Sequence, residues 1–329
     1  MKRTYLKIGI LAVAGVMLYS CSSDDNATPN QDPKHSPYIA KVYEFAPAIG
    51  QFINSTPAYT PTDTKESMLA KVNKALVGSK TSMVSLGGFG GYIVFGFDHT
   101  IENKTGFMDF RIKGNAFKAG ADANSNEGGS SEPGIILVSY DENNNGLPDD
   151  TWYEIAGSAY KEATQNYEIT YYKPIADKAP VSGDLSWQKD VEYIKWTDNQ
   201  GNSGYKTKNS FHNQSYFPEW ITEDKITFKG SKLPNNAVNE GTDEAPLWIF
   251  HSLDWGYADN APNNEDQSAI DIDWAVDKNG NKVRLTGIDF VKVYTGVNQE
   301  AGWLGEISTE ITGAEDLHLL NKSIPTIQN

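Results

Sequence analysis

The sequence predicts a mainly β fold: an antiparallel β-sandwich with one short helix near its N-terminus. Short runs rich in Val, Ile, Tyr, Phe and Trp follow one another from residue 82 onward, with no helical periods between them. Gly, Asn, Asp and Pro separate these runs, with hairpin-type turns at Asn145-Gly146, Gly201-Asn202 and Asn279-Gly280. Strands without alternating helices build sheets packed on sheets, not a doubly wound α/β domain. No internal repeat of roughly 20–50 residues runs through the chain.

The elements begin with a leader. Lys2, Arg3 and Lys7 make a basic start, and residues 8–17 are apolar. An apolar stretch this short does not span a bilayer core of about 30 Å as a helix, so residues 1–20 have the proportions of a signal peptide. Leu18-Tyr19-Ser20-Cys21 reads as a lipobox, and Cys21 is the single cysteine of the chain. A lipobox implies cleavage before Cys21 and acylation of its thiol; the other reading is an ordinary secretory signal with a chance cysteine. With Cys21 acylated, no thiol is left for a disulfide, a zinc–thiolate site or a nucleophile. Residues 21–37 are polar and proline-punctuated, a tether with almost nothing to bury. Residues 38–329 show no linker-like break and are expected to form one elaborated domain.

Residues 64–77 predict the helix. Met68, Leu69, Val72, Leu76 and Val77 share one face, and Gly78 follows as a stop. The β runs follow: YIVFGFDHTI, GFMDFRIKGNAF, PGIILVSYD, NYEITYYKP, VEYIKWTD, KITFKG, LWIFHSLDW, AIDIDWAVD, VRLTGIDFVKVYT and EISTEIT. In the eighth run Asp271 and Asp273 alternate with Ile270 and Ile272. This predicts a strand with both carboxylates on one wet face.

The formal net charge is −15 and the sequence pI about 4.8. The leader carries only basic residues, so processing leaves the chain still more acidic. An acidic chain without a basic cluster argues against binding nucleic acid, which rests on neutralising phosphates with Lys and Arg. It equally argues against electrostatic docking on anionic lipid, leaving the lipid anchor as the one membrane attachment. Cations and neutral ligands are compatible with it.

Asp141, Asn143 and Asn145 place oxygen side chains at positions 1, 3 and 5 of a loop, with Gly146 at 6. This matches the first half of an EF-hand-type loop. Ca2+ takes six to eight oxygens, which the Leu147 carbonyl, Asp149 and Asp150 can complete. Position 12 is Trp152 instead of a bidentate Glu, and strands flank the loop, so it is no EF-hand. It is either a structural calcium loop on a hairpin or an Asn-Gly hairpin with a polar tip. The acidic and amide-rich stretch Asp254, Asp259, Asn260, Asn263, Asn264, Glu265 and Asp266 reads as a solvated loop.

Eight Trp and seventeen Tyr are many for this length, and most are expected in the core. Trp196, Trp220, Trp255, Tyr257 and Trp303 lie instead beside Gly, Pro, Asn or Asp, where rings stand in loops. They are candidates to stack on a sugar ring or a large flat ligand. Enzyme signals are weak. His35, His99, His212, His251 and His318 form no HxH or HExxH pair, and there is no GxSxG elbow. Gly87-Gly88-Phe89-Gly90-Gly91 opens a strand, not a helix, and so lacks the phosphate-cradling context. No carboxylate pair stands out by order alone.

The runs SLGGFGGYIVFGFDHTI, NKTGFMDFRIKGNAF and SEPGIILVSYDENNNGLPDDTWYEIAGSAY resemble the jelly-roll surface lipoproteins of gut Bacteroidetes, as does IDFVKVYTGVNQEAGWLGEISTEITGAEDLH. Asp24-Asp25 after the lipidated Cys is similar to the surface-export signal of that group; otherwise it is an acidic linker. The resemblance implies a galactose-binding-like jelly roll on the outer face of the outer membrane. It also implies non-catalytic capture of a glycan, or of a corrinoid such as vitamin B12, for a TonB-dependent-type transporter. A surface glycoside hydrolase or lyase and a calcium-stiffened adhesin are the alternatives.

Overall fold

The longest apolar runs of the sequence become the middle of a sheet covered on both faces. The computed structural model describes residues 34–80, 82–118, 129–242 and 244–327. The leader, Cys21 and most of the tether lie outside these residues. The chain runs through β1 (Lys41–Ala46), α1 (Lys65–Leu76), β2 (Val84–Ser85), β3 (Tyr92–Glu102), β4 (Phe110–Lys113), β5 (Phe117–Lys118), β6 (Gly129–Ser130), β7 (Gly134–Ser139) and β8 (Trp152–Ile155). It continues through β9 (Thr164–Tyr172), β10 (Gln188–Asp198), β11 (Ser203–Asn209), β12 (Lys225–Lys232), β13 (Ala237–Asn239) and β14 (Trp248–Phe250). The last strands are β15 (Ala269–Ile270), β16 (Ala275–Val276), β17 (Gly287–Thr295), β18 (Glu310–Ile311) and β19 (Gly313–Asp316). The pairings are antiparallel throughout, and the fold is mainly β with one α-helix among the described residues.

The central sheet has the order β1-β3-β17-β7-β8-β16. Ile93, Phe95, Ile136, Val138, Val291 and Val293 point to one side, into a core shared with α1 and with the small sheet β15-β4-β19. Tyr92, Ile135, Leu137 and Tyr294 point to the other side. There they meet Tyr167, Ile169, Tyr171 and Phe228 of the four-stranded sheet β11-β10-β9-β12. A strand with no wet face has no reason to alternate, so YIVFGF and GIILVS read as continuous apolar runs. Phe89, fully buried, stands edge-on to Tyr167 at 5.0 Å in this second core.

The helix forms where expected. Thr64 caps it in a reciprocal capping box with Ser67, and Met68, Val72 and Leu76 are buried. Gly146, Gly201 and Gly280 all adopt positive φ in the turns assigned to them. At residues 269–276 the expectation fails. The chain leaves β15 at Ile270 and enters a 3-10 turn over Ile272–Trp274, and the buried Asp271 carboxylate caps that turn through the Asp273 N–H at 2.8 Å. An Asp able to bond the backbone two residues on ends a strand more readily than it continues one. At the N-terminal edge, the Ser36 N–H donates to Asp98 at 3.1 Å and the Asp316 N–H to the Pro37 carbonyl at 2.8 Å. Among the described residues no helix is long and apolar enough to cross a membrane.

Candidate functional site

A pocket of about 430 Å³ opens between the small sheet β13-β14-β6-β5 and the short pair β2–β18. Its floor carries Glu132, Glu306 and Glu310. Its walls carry Phe52, Phe117, Phe211, His212, Trp248 and Trp303. The two groups differ sharply in exposure. Phe211 is 63 % and Trp303 41 % exposed, whereas Glu306 is 8 % and Glu310 3 % exposed. Apolar rings face solvent and acids face inward, the reverse of the usual partition.

Backbone hydrogen bonds explain why the acids stay there. Asp259, with φ +51°, sits behind the floor; its carboxylate accepts the N–H groups of Asn115 at 2.7 Å, Ala116 at 2.9 Å and Glu310 at 2.9 Å. It thereby stitches the loop after β4 to β18. Gly114 permits the approach, since a Cβ there would lie 2.1 Å from Asp259 Oδ1. Glu132 accepts the Ser308 N–H at 3.0 Å, and the Ser308 hydroxyl donates to Glu310 at 2.7 Å. Glu306 accepts the Gln51 N–H at 2.7 Å. Gln51 is itself held by Asn209, whose amide donates to Gln51 Oε1 at 2.9 Å, and by a bond from its own amide to the Leu304 carbonyl.

No Lys, Arg or His pairs with these four acids among the described residues. Elsewhere the fold does compensate buried acids: Asp316 meets His99 at 2.7 Å, Asp109 meets His318 at 2.8 Å and Glu315 meets Arg111 at 3.3 Å. In the pocket, loss of water pushes every carboxyl upward. Burial raises Glu306 to about 8. Burial first, and mutual repulsion next, raise Glu132 and Asp259, and burial raises Glu310. Carboxylate oxygens of Glu132, Asp259 and Glu310 lie within 4.8 Å of one another. Ser308 bridges two of them, its N–H bound by Glu132 and its hydroxyl donated to Glu310, and the charge of Glu310 adds to the rise of Glu132. The arrangement offers ring faces at its mouth and hydrogen-bonding carboxyl groups at its floor. The spacing of the three acids also suits one cation, as does that of His35, Asp98 and His99 at the surface.

The structure scatters the five ring candidates. Trp303 lines the pocket. Trp220 is buried and stacks on Phe45 at 6.2 Å, while Tyr257 is buried with its hydroxyl accepting the Ala159 N–H at 3.1 Å. Trp255 is half-buried against Trp274 at 4.4 Å, and Trp196 lies half-buried over Gly204. The acidic stretch read as a solvated loop is corrected at its centre, since Asp259 and Asn260 are buried.

The hairpin tip between β7 and β8 gathers the predicted calcium-loop oxygens. Asp141 accepts the N–H of Asn145 at 3.0 Å and of Gly146 at 2.8 Å; Asn145 donates to Asp149 at 3.1 Å; the Glu142 N–H donates to Asp150 at 3.1 Å. Asn143 accepts the Asn145 N–H at 3.0 Å, and Leu147 follows with its side chain exposed.

Sequence reasoning missed Glu132, Glu306 and Glu310, and it placed Asp259 in a solvated loop instead of behind the pocket floor. The nearest signal is Glu306 and Glu310 bracketing Ser308 and Thr309 in EISTEIT, acids among small hydroxyls with no base nearby. Comparison with protein-family models finds no match to the chain, nor does comparison with curated proteins.

Proposed function

We propose that the protein is a lipoprotein held by acylated Cys21 on the outer face of the outer membrane. There it captures an extracellular nutrient in the aromatic-walled pocket for a TonB-dependent-type transporter. The observation that supports this most is the exposed aromatic rim around a buried hydrogen-bonding floor. It fits an uncharged ligand with apolar ring faces and a periphery of hydrogen-bond donors. A glycan and a corrinoid such as vitamin B12 share that chemistry. The pocket volume and the clustered carboxyl groups of its floor favour a glycan, whose hydroxyls both donate and accept. A lipid anchor serves capture because it raises the effective concentration of bound nutrient near a transporter. The sheets that meet across Tyr171 and Phe228 support, as the finer reading of the fold, an elaborated jelly-roll sandwich.

Calorimetric titration with neutral oligosaccharides tests the capture reading. Binding is expected in the wild type, with a loss of about tenfold in Trp303→Ala, corresponding to about 1.4 kcal/mol of stacking. No sugar binding, with cobalamin binding that colours the protein, moves the ligand to the corrinoid. Failure of both sinks the capture reading.

The hairpin tip at Asp141, Asn143, Asn145, Leu147, Asp149 and Asp150 is proposed to hold a structural Ca2+. An ion bound only by the folded state stabilises by about 2.7 kcal/mol at a hundredfold excess over Kd. The melting temperature is therefore expected to rise by several degrees with calcium in the wild type and to stay put in Asp141→Ala. A wild type indifferent to calcium and chelator removes the loop assignment and the adhesin alternative with it.

A further inference from the structure

We infer that His35, Asp98 and His99 form a zinc site that clamps the incoming chain to the edge of the domain. Asp98 and His99 belong to β3, and His35 to the stretch read as a tether. A ring nitrogen of each histidine and an Asp98 oxygen all lie within 4.8 Å of one another. Both Nδ1 atoms face the same oxygen: His99 Nδ1 is 2.8 Å and His35 Nδ1 3.4 Å from Asp98 Oδ1. Ligand atoms around a tetrahedral zinc ion stand about 3.3–3.5 Å apart. The His35 spacing already fits, and the His99 spacing has to open by about half an ångström. Two imidazoles and one carboxylate suit zinc, whereas calcium and magnesium call for oxygen ligands.

The group behind His99 decides which nitrogen is offered to the ion. The buried Asp316 carboxylate of β19 meets His99 Nε2 at 2.7 Å. Its other oxygen accepts the His318 N–H at 2.7 Å and the Leu319 N–H at 3.1 Å, so the backbone fixes it in place. A carboxylate that takes the proton on Nε2 leaves the lone pair on Nδ1, the outer-shell support common to zinc-bound histidines. Phe97, edge-on to the His99 ring at 6.0 Å, packs beside it. The Ser36 N–H donates to Asp98 Oδ2 at 3.1 Å and so draws His35 toward the same carboxylate. The His35 and Asp98 side chains are 44 % and 41 % exposed, which gives the ion a path in and leaves a coordination position for water. Charge favours the ion as well. Asp98 and Asp316 flank one imidazole, and a divalent ion that displaces a proton from His99 Nδ1 to solvent balances both. Zinc so placed joins residue 35 to β3 and, through Asp316, to β19. Asp316 touches no metal; it is a positioning residue.

The test uses Zn2+ itself on the full chain in chelator-treated buffer and does not depend on what the pocket binds. Calorimetric titration is expected to show zinc binding in the wild type. His35→Ala alters an exposed residue outside both cores and is expected to weaken one zinc equivalent by about tenfold or more. Asp316→Asn is expected to weaken the same equivalent by about ten- to a hundredfold. Melting curves in chelator report whether each variant folds, and His35→Ala alone decides the site. Trypsin cleavage after the exposed Lys34 gives a second readout. Zinc at about a hundredfold over Kd is expected to slow that cut by about tenfold or more in the wild type and to leave it unchanged in His35→Ala. A wild type that binds no zinc, or a His35→Ala protein that binds it as tightly, overturns the site. Zinc binding lost in His35→Ala without protection of Lys34 in the wild type overturns the clamp.

Discussion

Glu306→Gln raises the melting temperature at pH 8 and leaves it unchanged near pH 4. Burial lifts the Glu306 carboxyl from 4.5 to about 8, with the Gln51 N–H opposing and the charges of Glu300 and Glu310 adding to the rise. A group whose folded pKa is raised gives its full contribution below the unfolded value. That contribution is lost as pH climbs through the folded one, because the unfolded chain ionises freely while the native one does not. Between about pH 5 and pH 8 the loss for this residue alone is about 3 kcal/mol. For a chain of this size that corresponds to roughly 5–10 °C. Wild type should therefore melt highest in mild acid and decline toward pH 8, with Glu132, Asp259 and Glu310 steepening the slope in the same direction. Glu306→Gln, which cannot ionise, should flatten its share of the slope. The measurement is a pair of melting curves at each pH in chelator and without sugar. Equal wild-type stability at pH 5 and pH 8 would contradict a set of buried acids lacking counter-charges.

What the sequence made legible follows the range of the interactions involved. The helix was readable because its causes are local: a 3.6-residue apolar stripe ending at Leu76 and a cap at Thr64. Strands β3, β7 and β17 were readable because burial on both faces leaves unbroken apolar runs. Strands β1 and β11 stand at sheet edges and carry lysines, Lys41 in one and Lys206 and Lys208 in the other, so neither shows a clear apolar alternation. The pocket was not readable. Its acids come from three distant stretches, around residues 132, 259 and 306–310, and only long-range contacts bring them together: β18 pairs with β2, Asp259 bonds the Glu310 N–H and the loop after β4, and Glu132 bonds the Ser308 N–H. Glycine beside an aromatic did not discriminate either. Trp303, between Gly302 and Gly305, is exposed at the pocket, but Tyr257, next to Gly256, fills the core. A ring's neighbours along the chain set the freedom of the backbone, not which side of it the sheet covers.

The glycine run at 87–91 is where a single methyl group should do the most damage. In Gly91→Ala the added Cβ would lie 1.9 Å from the Leu86 carbonyl oxygen and 2.3 Å from the Ala48 nitrogen. It would sit inside the hydrogen bond that Ala48 N–H makes to Leu86 at 2.9 Å. Both obstacles are backbone, so no side chain can swing aside. Overpacking and a lost buried hydrogen bond together cost about 3–5 kcal/mol, or roughly 10 °C in melting temperature. Gly106→Ala is the matched control: φ is +85° there, yet nothing lies within 4 Å of the added carbon, so only backbone strain of about 1 kcal/mol is expected. A Gly91→Ala protein no less stable than Gly106→Ala would show that the two segments do not approach as closely as described. The same run also supports the pocket. Gly88 N–H donates to Ile49 at 2.8 Å, two residues before the Gln51 N–H that holds Glu306. Displacing residues 48–51 should therefore weaken sugar binding in Gly91→Ala beyond the loss of folded protein, while Gly106→Ala binds as the wild type does. Phe89 sits in the middle of this run because the flanking glycines let the chain double back and deliver its ring to the second core. The glycines that carry no phosphate thus serve two ends at once, closing the core on one side and fixing the acid floor on the other.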